Sequence, residues 1–240
     1  PSPRFTDNGD GTITDNMTGL MWQQDPDENI KNWEAALTYA NGSTLAGYTD
    51  WRVPNIIEME SLLNRAVVYA SGAQQADWLE SQGFSSAVEP EGYWTSTTYA
   101  TNDTNAFIVW LAVAHFQAYG KANSLRCLLV RGASDVLPQT GAGPIGGYTL
   151  VTGEDGDLQM GVPWPDPRFT DNGDNTATDN LTGLVWEQSV STTSVTLSQA
   201  FAESDSFADG GFTDWRLPTV RELATLINFG EVAPETWLNS

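Results

Sequence analysis

An internal repeat with a period of 164 residues constrains the fold more than any other feature. Residues 1–24 and 165–188 are identical at 18 of 24 positions, and the segment 48–54 returns at 212–218 with the same offset. A period this long indicates duplication of a whole domain, because solenoid repeats run to about 20–50 residues. We therefore predict a first domain at 1–132, a linker at 133–164 and the N-terminal part of a second domain at 165–240.

The second copy contains counterparts of only the first part of the domain. Residues 165–240 hold nothing that corresponds to the segments Tyr93–Thr98 or Leu128–Gly132 of the first copy. We expect the sequence to be a window on a longer tandem array. The alternative is that a neighbouring copy donates strands to the second domain.

The segment 133–164 is rich in Gly, Pro and Asp and has no hydrophobic periodicity, which is typical of a linker. It includes Leu137-Pro138-Gln139-Thr140-Gly141, which matches the sortase anchor pattern. No apolar span and basic tail follow this pattern, so we interpret it as part of the linker.

The first domain is predicted to be α+β, with short antiparallel strands and two helices. A hairpin is expected from Thr12–Asp15 and Leu20–Gln23, followed by a helix at Trp33–Ala40 that Asn32 caps. A second helix follows Asn55 in the first copy and Thr219 in the second, and Glu three residues later completes a capping box in each. The remaining strands are predicted at Tyr93–Tyr99, Ala106–Ala114, His115–Tyr119 and Arg126–Arg131.

Charge and composition exclude several function classes. The formal net charge of −21 disfavours nucleic acids, anionic lipids and sulfated glycans as partners. No apolar stretch approaches the ~18 residues of a membrane span. One His, His115, and one Cys, Cys127, rule out Cys/His metal clusters and disfavour a His-based acid–base pair. We therefore expect a protein with no catalytic residues, and we interpret Cys127 as a buried strand residue.

The ordered motifs resemble the Lcl C-terminal domain family. They are RFTDNGDGTITDNMTGLMW at 4–22, TDWRVPN at 49–55, YWTST at 93–97 and RCLLVRG at 126–132, and the first two recur in the second copy. The segment 215–222 is also similar to formylglycine-generating-enzyme-like domains. The resemblance implies a C-type-lectin-like fold in tandem copies, a secreted or cell-surface location in a bacterium, and ligand binding or adhesion.

Polar and aromatic residues in the 93–119 region are the candidates for ligand binding, because the fold that the resemblance implies binds ligands through its loops. They are Trp94, Tyr99, Asn102, Asp103, Asn105 and Trp110. The alternative for Trp94 and Trp110 is core packing. The segment Glu89-Pro90-Glu91 is similar to the sugar-binding tripeptide of C-type lectins, but it has Glu in place of Asn.

Asp7, Asn8 and Asp10 are the candidate metal ligands, because the loop that contains them is similar to a calcium-binding loop. Aligned on that loop type, positions 1 and 12 are Thr6 and Met17, so the two essential carboxylates are missing. The alternative is a tight turn closed by Asx hydrogen bonds, with no cofactor. The second copy has Asn175 in place of the turn glycine, and Asn tolerates a left-handed backbone.

Trp51 with Arg52, and Trp215 with Arg216, are predicted to be structural. Each arginine lies beside a Trp and is expected to bind a carboxylate or loop carbonyls.

Two functions of different class follow. In the first, the chain is a structural repeat of an extracellular appendage or filament, and its partners are copies of itself. In the second, it is an adhesin or receptor that binds a host or environmental glycan or protein through the 93–119 loops.

Overall fold

Two units with separate internal packing make up the chain. The computed structural model describes residues 1–67, 74–85, 92–111, 114–143, 147–189, 193–233 and 237–238. Unit 1 consists of Pro1–Val162 with Asn228–Ser240, and unit 2 consists of Pro163–Ile227. Their described residues form a mixed α/β structure with three sheets and six α-helices.

Unit 1 contains nine strands and four helices within its described residues. The strands are β1 Phe5–Asp7, β2 Thr12–Asp15, β3 Met21–Gln23, β4 Asp27–Lys31, β5 Tyr93–Thr98, β6 Asn105–Trp110, β7 His115–Gly120, β8 Leu125–Cys127 and β9 Val130–Arg131. The helices are α1 Trp33–Asn41, α2 Ile56–Ser61, α3 Gln74–Ser81 and α4 Asp155–Leu158.

A four-stranded antiparallel sheet in the order β1-β2-β3-β9 joins the two ends of the first domain. The predicted hairpin forms its centre, with Ile13 opposite Trp22. Strand β9 then adds to the free edge of β3, with Val130 opposite Trp22. The last strand of the domain therefore completes a sheet that its first residues begin.

A five-stranded sheet in the order β4-β8-β5-β6-β7 provides the main surface for packing. All its neighbours are antiparallel except β5 and β8, which run parallel. Helix α1 packs its buried residues Trp33 and Leu37 into a core with Trp94 and Ile108 of the sheet. Helix α2 lies against β5 and β6. Cys127 of β8 is fully buried, as predicted.

The predicted helix caps are confirmed. The side chain of Asn32 accepts a hydrogen bond from the backbone N–H of Ala35 at 2.9 Å, at the start of α1. Asn55 and Glu58 form a reciprocal capping box at the start of α2. Each cap satisfies backbone donors that the first turn of a helix leaves without intrahelical partners.

The segment predicted as a linker differs most from expectation. Residues 133–162 belong to unit 1, and the described part includes helix α4 and a parallel bridge between Pro138 and Val162. A Cβ on Gly161 would lie 2.8 Å from the Pro138 carbonyl. The two bridged segments therefore approach too closely for any residue other than glycine at position 161. We call residues 133–162 the arm. The arm has no hydrophobic periodicity because polar side chains, described below, attach it to the domain.

Unit 2 repeats the local structure of the first half of unit 1. It contains β10 Phe169–Asp171, β11 Thr176–Asp179, β12 Val185–Glu187, α5 Leu197–Ser206 and α6 Val220–Thr225. The strands form one antiparallel sheet in the order β10-β11-β12. Capping boxes start both helices, at Thr196 with Gln199 and at Thr219 with Glu222. The box at Thr219 was predicted.

Candidate functional site

The five-stranded sheet and the turn between β5 and β6 contain the residues predicted to bind a ligand. Trp94 lies in the hydrophobic core. Its indole is fully buried in the core against α1, and its Nε1 donates to the carbonyl oxygen of Lys31 at 2.8 Å. Trp110 is half-buried and packs against the same core. Both side chains therefore pack in or against the core, which was the alternative prediction for them. Trp94 does not contribute to an exposed binding surface.

The turn between β5 and β6 brings Tyr99, Asn102, Asp103 and Asn105 together. The side-chain oxygen of Asn102 accepts from the backbone N–H of Thr104 at 3.1 Å and from its hydroxyl at 2.7 Å. Tyr99 is half-buried and packs edge-on against a phenylalanine ring of β6. Asn102 and Asp103 are exposed at the tip and Asn105 is half-buried. The Asn102 oxygen is therefore already used to shape the turn.

The loop of the metal candidates is closed by its own hydrogen bonds. Asp7 Oδ1 accepts from the backbone N–H of Gly9 at 2.8 Å, and Asp10 Oδ1 accepts from the hydroxyl of Thr12 at 2.6 Å. The amide of Asn8 donates to the same hydroxyl at 2.8 Å. These are the Asx hydrogen bonds of the alternative prediction, and they close the loop as a tight turn.

The second copy keeps these hydrogen bonds. Asp171 Oδ1 accepts from the N–H of Gly173 at 2.8 Å, and Asp174 Oδ1 accepts from the hydroxyl of Thr176 at 2.6 Å. Asn175 adopts a left-handed backbone with φ 69°, where the first copy has Gly11 at φ 84°. Within the described residues, no group of three or more His, Cys, Asp or Glu side chains is arranged to hold a metal ion.

Arg52 forms a buried ion pair in unit 1. Its two terminal nitrogens donate to the two carboxylate oxygens of Glu58, at 2.6 and 2.5 Å, and one also donates to the carbonyl oxygen of Gly132 at 3.0 Å. Trp51 is buried beside it, and its Nε1 donates to the carbonyl of Leu45 at 3.0 Å. The pair thus fixes the start of α2 to the end of the domain.

Arg216 and Trp215 repeat the ion pair and the indole hydrogen bond in unit 2, but in an exposed setting. Arg216 donates to both carboxylate oxygens of Glu222, while its side chain is 56% exposed against 7% for Arg52. Hydrogen bonding from Arg216 lowers the pKa of Glu222 to about 2. Trp215 Nε1 donates to the carbonyl of Asp209 at 3.1 Å, which matches the bond of Trp51.

A buried polar cluster attaches the arm to the sheet, and sequence reasoning missed it. Asp155 is buried, and its Oδ2 accepts from the hydroxyls of Thr97 at 2.6 Å and Thr140 at 2.7 Å. Burial raises the pKa of this carboxyl to about 6, and the two hydroxyls oppose the rise. Asp155, on α4, therefore connects the Thr140 segment of the arm and α4 itself to strand β5.

Glu154 extends the same cluster toward the turn after β7. Its carboxylate accepts from the hydroxyls of Thr98 at 2.7 Å and Tyr148 at 3.2 Å. The Lys121 ammonium donates to both of these hydroxyls at 2.9 Å and lies 3.9 Å from the centroid of the Trp33 ring. Burial lowers the pKa of Lys121 to about 8. We call these residues the docking cluster: Thr97, Thr98, Lys121, Thr140, Tyr148, Glu154 and Asp155.

The docking cluster anchors the arm to the domain. Its carboxylates accept from hydroxyl and backbone donors of the protein itself, since Glu154 Oε1 also accepts from the N–H of Val151 at 2.7 Å. A threonine-rich strand and two adjacent acids in a Gly-rich segment were the available signals. Neither signal distinguishes a docked segment from a solvated one.

Unit 2 exposes the apolar residues that unit 1 buries. Counterparts at the 164-residue offset are Trp33 and Leu197, Leu37 and Phe201, Ile56 and Val220, and Met59 and Leu223. The exposed fractions of the four in unit 1 are 0%, 1%, 0% and 0%, and those in unit 2 are 69%, 54%, 51% and 48%. We call Leu197, Phe201, Val220 and Leu223 the open face.

The segment Glu89-Pro90-Glu91 lies outside the described residues, as do Ala112 and Val113 of the 93–119 region. In the described part of the chain, no helix has both the length and the apolar character needed to cross a membrane.

Comparison with known proteins identifies one family. The search of curated proteins finds no match. The sequence model of the Lcl C-terminal domain family matches residues 11–131 and 175–239. The two matched segments fall within the predicted copies at 1–132 and 165–240. Because the matches cover more than half of the sequence, the chain belongs to the Lcl C-terminal domain family, in two segments consistent with tandem copies.

Proposed function

We propose that this chain is a non-enzymatic extracellular repeat protein, a structural subunit of a bacterial surface appendage or filament built from tandem C-type-lectin-like domains. The observation that carries the proposal is the docked arm. The arm follows the domain directly and is held on β5 by the buried carboxylates of Glu154 and Asp155.

The docked arm is part of folded unit 1 rather than a flexible segment. A flexible connection of about 30 residues would sample many end-to-end distances. Attachment through buried, hydrogen-bonded polar groups restrains the arm, because leaving either carboxylate unpaired in the interior costs about 1–3 kcal/mol or more. A structural array needs such a constant unit, whereas a tether that presents an adhesive domain does not.

The C-type-lectin-like fold is part of the same proposal. Two helices pack on a central sheet, and β9 returns to pair with β3 of the opening hairpin. This closure of the domain by its two ends supports the assignment.

Adhesion through the turn after β5 is the second candidate. It is favoured by the exposure of Asn102 and Asp103 at the tip of that turn. The partner would then be a glycan or protein rather than another copy of the chain.

Electron microscopy of native material tests the two candidates. Gold-labelled antibodies against residues 1–240 should decorate continuous fibres at a regular spacing. Replacing Asp155 with Ala in the natural protein should broaden this spacing while export continues, and the exposed change Thr152→Val should leave it unaltered. Isolated monomers that bind tightly to a glycan array, with loss of binding on Asp103→Ala, would contradict the filament and support the adhesin.

A further inference from the structure

The turn that follows α6 in the chain is packed into unit 1. Residues 228–240 belong to that unit, and both Asn228 and Phe229 are buried there. The ring of Phe229 lies edge-on against the ring of Phe107, with 5.3 Å between the centroids. The backbone N–H of Phe229 donates to the carbonyl oxygen of Thr140 at 3.0 Å. The turn therefore contacts both the arm and strand β6.

Phe107 lies on the face of β6 opposite to the core beneath α1. Its neighbour Ile108 belongs to that core, and successive side chains of a strand point to opposite faces. On its own face, Phe107 makes edge-on contacts with Tyr99 at 5.3 Å and Phe116 at 6.5 Å between ring centroids. Edge-on aromatic pairs are favourable beyond the area that they bury. Phe229 therefore adds a ring to an aromatic surface that the domain already has.

Gly230 allows the turn to approach the arm closely. A Cβ at this position would overlap the carbonyl oxygen of Gly141 and lie 2.9 Å from the Cα of Ala142. Both atoms belong to the backbone, so neither can move aside as the end of a flexible side chain would. Thr140, next to them, donates through its hydroxyl to the buried carboxylate of Asp155. The turn is thus held by a part of the arm that is itself anchored.

The first copy contains the same turn with different side chains. At the 164-residue offset, the counterparts of Asn228–Gly230 are Asn64, Arg65 and Ala66. The asparagine Oδ1 accepts from the backbone N–H two residues later in both copies, at 3.0 Å from Gly230 and at 3.1 Å from Ala66. The backbone turn is therefore common to the copies, whereas the Phe and Gly that make the contacts occur only in the second.

The first copy also shows where this turn lies in a domain whose later strands are present. Arg65 is half-buried and its guanidinium lies 3.5 Å from the carboxylate of Glu60, while Ala66 is exposed. The turn is thus at the surface of such a domain. It is available to a neighbouring domain without any loss of contacts inside its own.

We infer that Phe107, Thr140, Gly141 and Ala142 form a docking site for an Asn-Phe-Gly turn, the turn that follows the second helix of the next copy in the repeat. We call these four residues the turn site. It is selective against the Asn-Arg-Ala turn of the first copy. A Cβ in place of Gly230 would overlap the backbone of the arm, and burial beside Phe107 would strip a guanidinium of its water.

This selectivity would order the copies, because the contact forms only where a copy with Phe and Gly follows a copy with the turn site. The inference stands apart from the proposed function. It concerns the contact between successive copies, which a filament and an adhesive stalk would both contain.

Hydrogen exchange of the 240-residue chain tests the inference. Phe229→Arg and Gly230→Ala each introduce the residue that the first copy has in the same turn, so both variants should keep the far-UV circular dichroism of the wild type. Amides in residues 138–142 and 228–231 should exchange at least about tenfold faster in each variant, because the contacts with Thr140 and Phe107 are lost. Amides in β5 should keep their rates.

Two matched controls lie in the same segments. Val232→Arg introduces the same charge at an exposed position three residues beyond Phe229. Gly143→Ala adds a methyl group to the arm, and the nearest atom beyond its chain neighbours, in Gln159, would be 3.9 Å from the new carbon. Each control should change the exchange rates less than about threefold. Unchanged rates in Phe229→Arg or in Gly230→Ala, or equal acceleration in the controls, would overturn the inference.

Discussion

At the residue scale, the chain contains one ion pair in two environments. Arg52 and Glu58 are buried in unit 1, whereas their counterparts Arg216 and Glu222 make the same bidentate contact with the arginine exposed. The geometry of the pair is therefore local, set by the capped helix beside it. The contribution of the pair to the free energy of unfolding depends on the surroundings, because removal of one partner costs most where water cannot replace it.

Arg52→Ala should lower the free energy of unfolding of unit 1 by about 3–5 kcal/mol, because it leaves Glu58 buried without its counter-charge. Arg216→Ala in unit 2 is the matched control, and water can solvate the carboxylate that it exposes. Urea denaturation followed by hydrogen exchange in each unit measures both effects. Equal losses of unfolding free energy in the two units would show that burial does not control the contribution of the ion pair to stability.

Asp155 predicts a dependence on pH. Burial raises the pKa of its carboxyl from 3.8 to about 6, so the folded state holds the proton more tightly than the unfolded chain does. The stabilising contribution of this group is complete below pH 3.8 and is lost as the pH rises through about 6. Asp155→Asn should therefore gain about 3 kcal/mol in unfolding free energy relative to wild type between pH 3.5 and 7.

Asp157→Asn controls for this change, because Asp157 lies on the same helix but is exposed. The two variants and the wild type are compared by chemical denaturation across that pH range. Parallel profiles for all three proteins would show that Asp155 does not titrate in this window.

At the scale of elements, the docked arm is the feature that the sequence concealed. Patterns fixed by neighbours along the chain, such as the caps at Asn32 and Asn55, were predictable from sequence. The closing segment Arg126–Arg131 was predicted as one strand, but it divides into β8 and β9 in different sheets. That division, and the docking cluster, depend on contacts between residues far apart in sequence. Hydrophobic periodicity carries no information about such contacts.

Thr140→Val should loosen the arm without unfolding the domain. The change removes a hydroxyl that donates to Asp155 at 2.7 Å and leaves that carboxylate with fewer partners. Amide exchange in residues 147–162 should accelerate about tenfold, while exchange in β5 and β6 stays nearly constant. Thr152→Val, at an exposed position of the arm, should leave all these rates unchanged. Similar acceleration in both variants would contradict a specific anchor at Thr140.

At the scale of the whole molecule, the two units have similar sequences but different interiors. Unit 1 buries four tryptophans and two helices against its sheets, whereas the described part of unit 2 has no fully buried apolar side chain. Most of the stability of a helix in a protein comes from packing of its apolar face rather than from its own propensity. Capping alone therefore leaves α5 and α6 weakly held.

Amides in α5 and α6 should exchange at least about a hundredfold faster than those in α1 and α2 of the same molecule. Hydrogen-exchange mass spectrometry of the 240-residue chain at neutral pH measures the four helices together. Comparable protection in both pairs would mean that unit 2 has a core of its own.

Cys127 makes unit 1 separately observable. It is the chain's one cysteine, it is fully buried in β8, and burial raises the pKa of its thiol to about 12. A thiol reagent can reach it only when the sheet around β8 opens, so the rate of alkylation counts those openings. Unit 2 has no thiol and gives no signal in such an experiment. Alkylation of Cys127 therefore reports the opening of unit 1 alone, without interference from unit 2.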